Sequence, residues 1–210
     1  EKIIIFSGKL NNAKGFDKFG LAISKILNKY PSWKAIAIGD EPRENYNFSH
    51  KNLTYTGWIS QDKVLNLYNK SSITVAPSLW EEPFGRSSLE AGSRGNAVII
   101  SKRGGLPETI REPIFLKKVE TKEIFLEIEK LILDKTLLKK TQISNFKNPL
   151  HLISNNIKIM DIHRGEIVNK KKNININLNK KLKILHIYNR AEKIGGRIYF
   201  ISTGKKIENG

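Results

Sequence analysis

The chain has 210 residues, 39 % of them hydrophobic, with 37 Lys and Arg against 20 Asp and Glu and no Cys. That length holds either one large domain or one domain plus a piece of another, its apolar runs are too short to span a membrane, and without Cys it has neither disulfides nor thiolate metal sites. The formal charge of +17 favours anionic partners, although 29 of the 37 basic residues are Lys and 20 residues are Asn, a bias that an AT-rich coding sequence produces by itself. Residues 1–10 show no cationic segment ahead of a cleavable apolar stretch, so no signal peptide is expected there. The lone Met is Met160 and the last residues read "STGKKIENG", so the sequence reads as cut at both ends.

In chain order, "KIIIF" (2–6) is a β-branched run of the kind that forms a buried parallel strand. After a Gly-bounded loop (7–15), Phe16, Phe19, Ala22, Ile23, Ile26 and Leu27 recur at helical spacing and stop before Pro31. A second strand is predicted over 33–40 ("WKAIAIGD"), a polar loop over 41–51, and a short third strand over 53–57 ("LTYTG"). A helix over 61–69 turns Val64, Leu65 and Tyr68 inward. Strands at 72–78 ("SITVAPS") and 96–101 ("NAVIIS") follow, separated by a polar corner and the helix it starts. From Ile114 the pattern becomes a short edge strand and two amphipathic helices, with Ile124, Ile128 and Leu131 on one stripe. A further helix is expected over 148–168 and a Lys- and Asn-rich linker over 169–181. Residues 182–210 read as an incomplete second α/β unit, opened by the strand "LKILHIY".

Apolar strands alternating with helices argue for βαβ units: an α/β fold with a Rossmann-like parallel sheet covered by helices on both faces. Ligands of such sheets lie beyond the carboxyl ends of the strands. The rule selects the loops 7–15, 39–52, 57–61, 77–86 and 101–108.

The corner "PSLWEEPFGRSSLEAGSRG" (77–95) carries the strongest chemistry. A helix beginning at Pro83, Phe84 and Gly85 would present unpaired N–H groups to a phosphate. Gly85 would admit an anion close to the backbone, and Arg86 adds a charge. Glu82 and Glu90 stand eight residues apart, about 12 Å at ~1.5 Å per helical residue, too far to share a proton. They suit the two ends of an elongated ligand, accepting hydrogen bonds from its hydroxyls. The plainer reading makes Glu81 and Glu82 acids of the first helical turn and Glu90 a solvated face; Glu81 is read as solvated in either case.

The loop "GKLNNAKG" (8–15) resembles a P-loop in composition but lacks the Lys-Ser/Thr ending, so Walker-type hydrolysis is not expected. Gly8, Lys9 and Lys14 stand above the first strand, and "RGGLPE" (103–108) offers Gly104, Gly105 and Leu106 with backbone N–H groups free for a diphosphate or sugar. His50, His151, His163 and His186 show no metal-ligand spacing. The aromatic residues are not interleaved with basic runs, so no specific nucleic-acid site is expected.

Taken in order, "FSGKLNNAKGFDKF", "AIAIGD", "YTGWISQDKVLNLYNKSSITVAPS", "EPFGRSSLE" and "ISKRGGLPE" resemble the C-terminal, donor-binding domain of family 4 glycosyltransferases, which have the GT-B fold. The resemblance covers roughly residues 2–146, and "EPFGRSSLE" fits the family's Glu-x7-Glu motif. It implies a nucleoside-diphosphate sugar at the strand ends, with residues 1–147 as the donor-binding domain. Glu82, Lys14 and Lys9 would be the catalytic groups, with Glu82 on the sugar hydroxyls and both lysines on the diphosphate. Gly8, Phe84, Gly85, Arg86, Gly104, Gly105 and Leu106 would add donor contacts, and Glu90 would hold the ribose. It also implies retention at the anomeric carbon, no metal or other cofactor, and a saccharide or lipid-linked acceptor. Lys9 stands where the family has Arg, keeping the charge but losing the two-pronged geometry. The implied setting is cytoplasmic, and the positive charge is compatible with peripheral contact at the inner face of a membrane. Residues 182–210 look like the opening of an acceptor-type domain, as in a tandem enzyme. The readings left open are a non-catalytic nucleotide- or polyanion-binding module and a GT-B phosphorylase or epimerase.

Overall fold

The first strand, β1 (Ile3–Ser7), has no polar face: Ile3 and Ile5 enter one layer, Ile4 and Phe6 the other, and all four are buried. Such a strand needs cover on both sides, which a parallel sheet between two layers of helices supplies. The computed structural model describes residues 1–44, 46–147 and 153–172, with side chains in the last helix over residues 157–169.

Five further strands join β1: β2 (Lys34–Ile38), β3 (Leu53–Gly57), β4 (Ile73–Ala76), β5 (Ala97–Ile100) and the two-residue edge β6 (Ile114–Phe115). All pair in parallel, in the order β3-β2-β1-β4-β5-β6. Ile5 of β1 lies opposite Ile36 of β2 on one side and Thr74 of β4 on the other. The chain therefore winds outward from β1 through β2 to β3, then returns to β4 and winds the other way. Where the winding reverses, loops leaving β1 and β4 diverge and open a crevice.

The helices are α1 (Phe16–Lys29), α2 (Gln61–Lys70) and α3 (Arg86–Ser93) between strands, then α4 (Thr121–Leu133), α5 (Lys135–Lys147) and α6 (Ile153–Lys172) after β6. The apolar stripes read on α1 and α4 are the buried ones, whereas α5, expected to be amphipathic, buries Thr141 and Asn145 and leaves Ile143 and Phe146 exposed. Phe16, Phe19, Ala22, Ile23, Ile26 and Leu27 of α1 join Ile124, Ile128 and Leu131 of α4 in one layer. The Phe6 ring sits 4.9 Å from Phe16 and 5.2 Å from Phe19. Val64 and Tyr68 of α2 and Ala91 of α3 fill the opposite layer with Val98 and Ile100, while Leu65 is only partly buried. Glu129 of α4 fastens the outside of α1, accepting from the Tyr30 hydroxyl at 2.8 Å and pairing with Lys29 at 2.8 Å.

A buried polar knot ties the second layer together. Asn96, fully buried just before β5, donates through Nδ2 to the carbonyls of Tyr68 (2.8 Å) and Ala91 (3.2 Å). Its Oδ1 accepts from Ser71 (2.5 Å) and Thr74 (3.1 Å), and its own carbonyl accepts from Asn145 Nδ2 of α5 (3.0 Å). Tyr68 beside it differs: its hydroxyl faces the Ser7 side chain, yet among the described residues no atom stands in hydrogen-bonding geometry to it. An unpaired buried hydroxyl carries a desolvation cost without compensation. Tyr68→Phe is therefore expected to leave unfolding free energy unchanged or raise it by up to about 1 kcal/mol in urea titrations.

One boundary differs from expectation. The helix after Pro149 continues to Lys172, through the first four residues of the expected linker, because residues 169–172 ("NKKK") contain no Gly or Pro to stop it. Residues Glu1–Ile157 form one compact unit, and α6 from residue 158 to Lys172 belongs to a second. The expected linker beyond residue 172 and the α/β unit at 182–210 lie outside the described residues. Among the described residues no helix is long and apolar enough to cross a membrane.

Candidate functional site

At the reversal between β1 and β4 the strand ends border a cavity of about 1060 Å³. Gly8, Lys9 and Lys14 line it from the loop after β1, Glu41 and Arg43 from the loop after β2, and Trp58 from the end of β3. Glu82, Phe84, Gly85, Arg86 and Glu90 line it from the corner and α3, and Leu106 closes it from beneath. Nine of the residues singled out from the sequence thus meet in one place: Gly8, Lys9, Lys14, Glu82, Phe84, Gly85, Arg86, Glu90 and Leu106.

The corner owes its shape to two glycines. Gly85 caps α3 at φ +97°, a left-handed conformation that side chains rarely adopt, and a Cβ there would meet Leu106 Cδ2 at 2.6 Å. The helix therefore starts at Arg86 rather than over residues 83–85. Gly85 is required by this turn and by its seat against Leu106. Because residues 82–85 lie outside α3, the separation of Glu82 from Glu90 is not a helical rise. The first turn of α3 still opens on the cavity, where Gly85, Arg86 and Ser87 line the wall.

The Gly-Gly loop plays a different part from the one expected. Gly104 N–H donates to Glu81 Oε2 (2.6 Å), Gly105 N–H to the Glu82 carbonyl (2.7 Å), and Leu106 N–H to the Arg103 carbonyl (3.2 Å). These amides are engaged within the protein, and Gly104 and Gly105 do not line the cavity. Gly104, at φ +52°, passes so close that any Cβ would collide with the Glu82 backbone. The loop thus braces the corner from behind. Glu81, expected to be merely solvated, is the brace's other half: Arg103 bonds it at 3.0 Å and, with the Gly104 N–H, holds its carboxyl below the ordinary range.

Charge inside the cavity is arranged in pairs. Lys14 Nζ bonds the Glu82 carboxylate. Lys14 is placed by a short 3-10 turn (Asn12–Lys14) whose cap, Asn11, accepts the Lys14 N–H at 3.0 Å. Arg86 reaches Glu90 at 3.2 Å and Gln61 at 3.5 Å. Lys9 has no carboxylate within ion-pair distance among the described residues, though Glu41 is within its electrostatic reach.

Glu41 and Arg43 were not singled out from sequence. Arg43 grips the buried Glu41 in a fork, Nε to Oε1 at 2.6 Å and Nη2 to Oε2 at 2.8 Å. These hydrogen bonds hold the Glu41 carboxyl down at about 2, against an ordinary 4.5. With the folded value below the unfolded one, the pair contributes stability above about pH 4.5 and loses it as pH falls through about 2. Arg43→Gln is expected to return the Glu41 carboxyl to 4.5 or above in a ¹³C NMR titration, and to start acid unfolding at higher pH. Trp58, 83 % exposed on the rim, was also missed. The strand-end rule had marked both loops, but an isolated "EPR" or "GW" carries no spacing that points to chemistry.

A sequence profile of the family described as "Glycosyl transferases group 1" matches residues 1–148. The chain belongs to this family. Against an uncharacterised glycosyltransferase of Methanocaldococcus jannaschii, this group 1 glycosyltransferase chain is 32 % identical over 121 residues, 54 % of its own length and 30 % of the relative's. The spore coat protein SA of Bacillus subtilis is 30 % identical over 125 residues, 53 % of this chain and 33 % of that protein. The chain thus spans about a third of the length of these relatives. Among solved structures, the C-terminal domain of a group 1 glycosyl transferase from Francisella tularensis superposes with a TM-score of 0.62 at 27 % identity, covering 69 % of this chain and 82 % of that one. Its GT-B fold is therefore the one the sequence motifs implied.

Proposed function

We propose that the cavity takes a nucleoside-diphosphate sugar and that this unit is the donor half of a retaining glycosyltransferase acting on a saccharide or lipid-linked acceptor. The observation that carries this is the placement of two lysines, the first turn of α3 and two separated carboxylates around one crevice. The diphosphate lies against α3 and the lysines, where backbone N–H groups and ammonium charge meet its oxygens. As the bond to the anomeric carbon breaks, charge grows on the leaving phosphate, and Lys14 and Lys9 stabilise it without a metal. Glu82 accepts hydrogen bonds from sugar hydroxyls while Lys14 holds its carboxylate in place. Glu90, steadied by Arg86, accepts from the ribose hydroxyls. Phe84 and Gly85 shape the wall between them, and Gly8 leaves open space above β1 for the donor.

A structure of Anabaena HepE with UDP-glucose shares the fold, with a TM-score of 0.65 at 17 % identity over 79 % of this chain and 49 % of that one, which makes UDP-sugars the first donors to test. We place the reaction in the cytoplasm, with the +17 charge favouring contact with an anionic membrane face. The test is calorimetric titration with UDP-, GDP- and ADP-sugars. One nucleotide should bind in preference, and Glu90→Ala should weaken it by roughly tenfold or more. Binding of every polyanion alike, suppressed by salt and indifferent to Glu90, would overturn the proposal in favour of a non-catalytic polyanion module.

A further inference from the structure

A second concavity, of about 560 Å³, lies beyond the carboxyl ends of β4, β5 and β6 and shares no lining residue with the donor cavity. Lys102 and Arg103 enter it from β5, Lys117 and Lys118 from β6, and Leu79 from the corner. Its floor is apolar: Leu79 and Phe115 are half-buried, and Lys102 Nζ lies 4.9 Å from the Phe115 ring centroid. The carboxylates facing it are few. Glu81 is taken by Arg103, Glu120 lies on the lining, and Glu123 accepts the Lys117 backbone N–H at 3.3 Å. Among the described residues Lys102, Lys117 and Lys118 have no carboxylate within ion-pair distance. Four cationic side chains line the concavity against one carboxylate, Glu120, with Glu81 and Glu123 beside it, so it carries a small surplus of positive charge that a multivalent anion would neutralise.

We propose that this groove holds the phosphate or pyrophosphate of a phosphorylated acceptor, with the acceptor's apolar part on Phe115 and Leu79. The proposal deepens the donor reading and rests on it. Sheet order gives the reason for an acceptor: the groove flanks the corner on the β5–β6 side, next to Glu82, whereas Trp58 and Arg43 lie on the β2–β3 side. A phosphate anchored there sets an acceptor beside the sugar end of the donor, not the base end.

The test is an NMR titration of the ¹⁵N-labelled chain with inorganic pyrophosphate, the donor cavity first saturated with UDP. Amide shifts are expected at Lys102, Arg103, Lys117 and Lys118. The triple variant Lys102→Gln, Lys117→Gln, Lys118→Gln should weaken this binding by roughly tenfold or more and leave UDP affinity unchanged. A control removing three exposed lysines of α5 (Lys135, Lys139 and Lys140, each to Gln) should have little effect. Equal loss in both variants, or shifts that avoid the groove, would overturn the proposal. A second arm uses flotation with phosphatidylglycerol and phosphatidylcholine vesicles. Groove-dependent flotation without pyrophosphate binding would make the surface a membrane contact and also overturn it. If UDP fails to bind while pyrophosphate still titrates the groove, the donor reading falls and the anion site stands without its acceptor role.

Discussion

Lys14→Ala is expected to weaken UDP binding by roughly tenfold to a hundredfold, the effect of losing one charge-assisted hydrogen bond of about 1.5–3 kcal/mol. The side chain has two partners in prospect, the diphosphate and Glu82, and the variant removes both effects at once. On the proposed reading it takes cationic charge from beside the diphosphate and frees the Glu82 carboxylate, leaving a negative group facing an anionic ligand. Two comparisons separate these effects by isothermal titration calorimetry. Lys14→Ala with Glu82→Gln should recover part of the UDP affinity, because the exposed negative charge is gone. Uridine, which has no phosphate, should bind the wild type and Lys14→Ala equally. Equal loss for uridine would mean that Lys14 merely supports the loop. The short turn that carries Lys14 is held independently by Asn11, so the fold should survive the change.

The second large effect concerns stability. Asn96→Ala should lower the unfolding free energy by about 3–5 kcal/mol, measured by urea denaturation, because four side-chain hydrogen bonds vanish inside a sealed layer. The Ser71 and Thr74 hydroxyls and the Tyr68 and Ala91 carbonyls would lose a partner where water cannot easily replace it. Asn96→Asp should be nearly as harmful, since it keeps the acceptor but loses both Nδ2 donors and buries a carboxyl. The loss should appear as unfolding and leave UDP affinity of the remaining folded fraction unchanged, because Asn96 does not line the cavity.

The fold could be read far into the sequence because its signal was redundant. The strands β1, β2, β4 and β5 were mostly apolar runs, and α1 and α4 repeated their apolar residues on the face that is now buried, from Phe16 to Leu27 and from Ile124 to Leu131. The strand-end rule then selected the right loops before any chemistry was considered. What stayed hidden were contacts made across the sequence. "RGG" looks like a row of free amides, and only the approach of residue 81, more than twenty positions earlier, shows that Gly104 has a carboxylate partner. Asn96 read as the first residue of a strand, with nothing local to reveal five bonds to four elements. The Glu41–Arg43 fork is local but too short to stand out in a chain so rich in charge. At Gly85 the sequence suggested room for an anion, but not the left-handed turn and the close seat of Leu106 that also demand a glycine there.

The place of β1 in the sheet has a consequence for how the protein is made and trimmed. The earliest strand of this sequence is a middle strand, with β2 against one edge and β4 against the other. During synthesis its β2 edge closes within about thirty residues, but its β4 edge waits until Ile73–Ala76 has emerged. Until then a four-residue isoleucine and phenylalanine run keeps one open hydrogen-bonding edge, the condition under which nascent chains cross-pair. Shortening the sequence is correspondingly asymmetric. Removing residues 1–7 would split the sheet in two, whereas the two-residue β6 occupies an edge from which little else hangs.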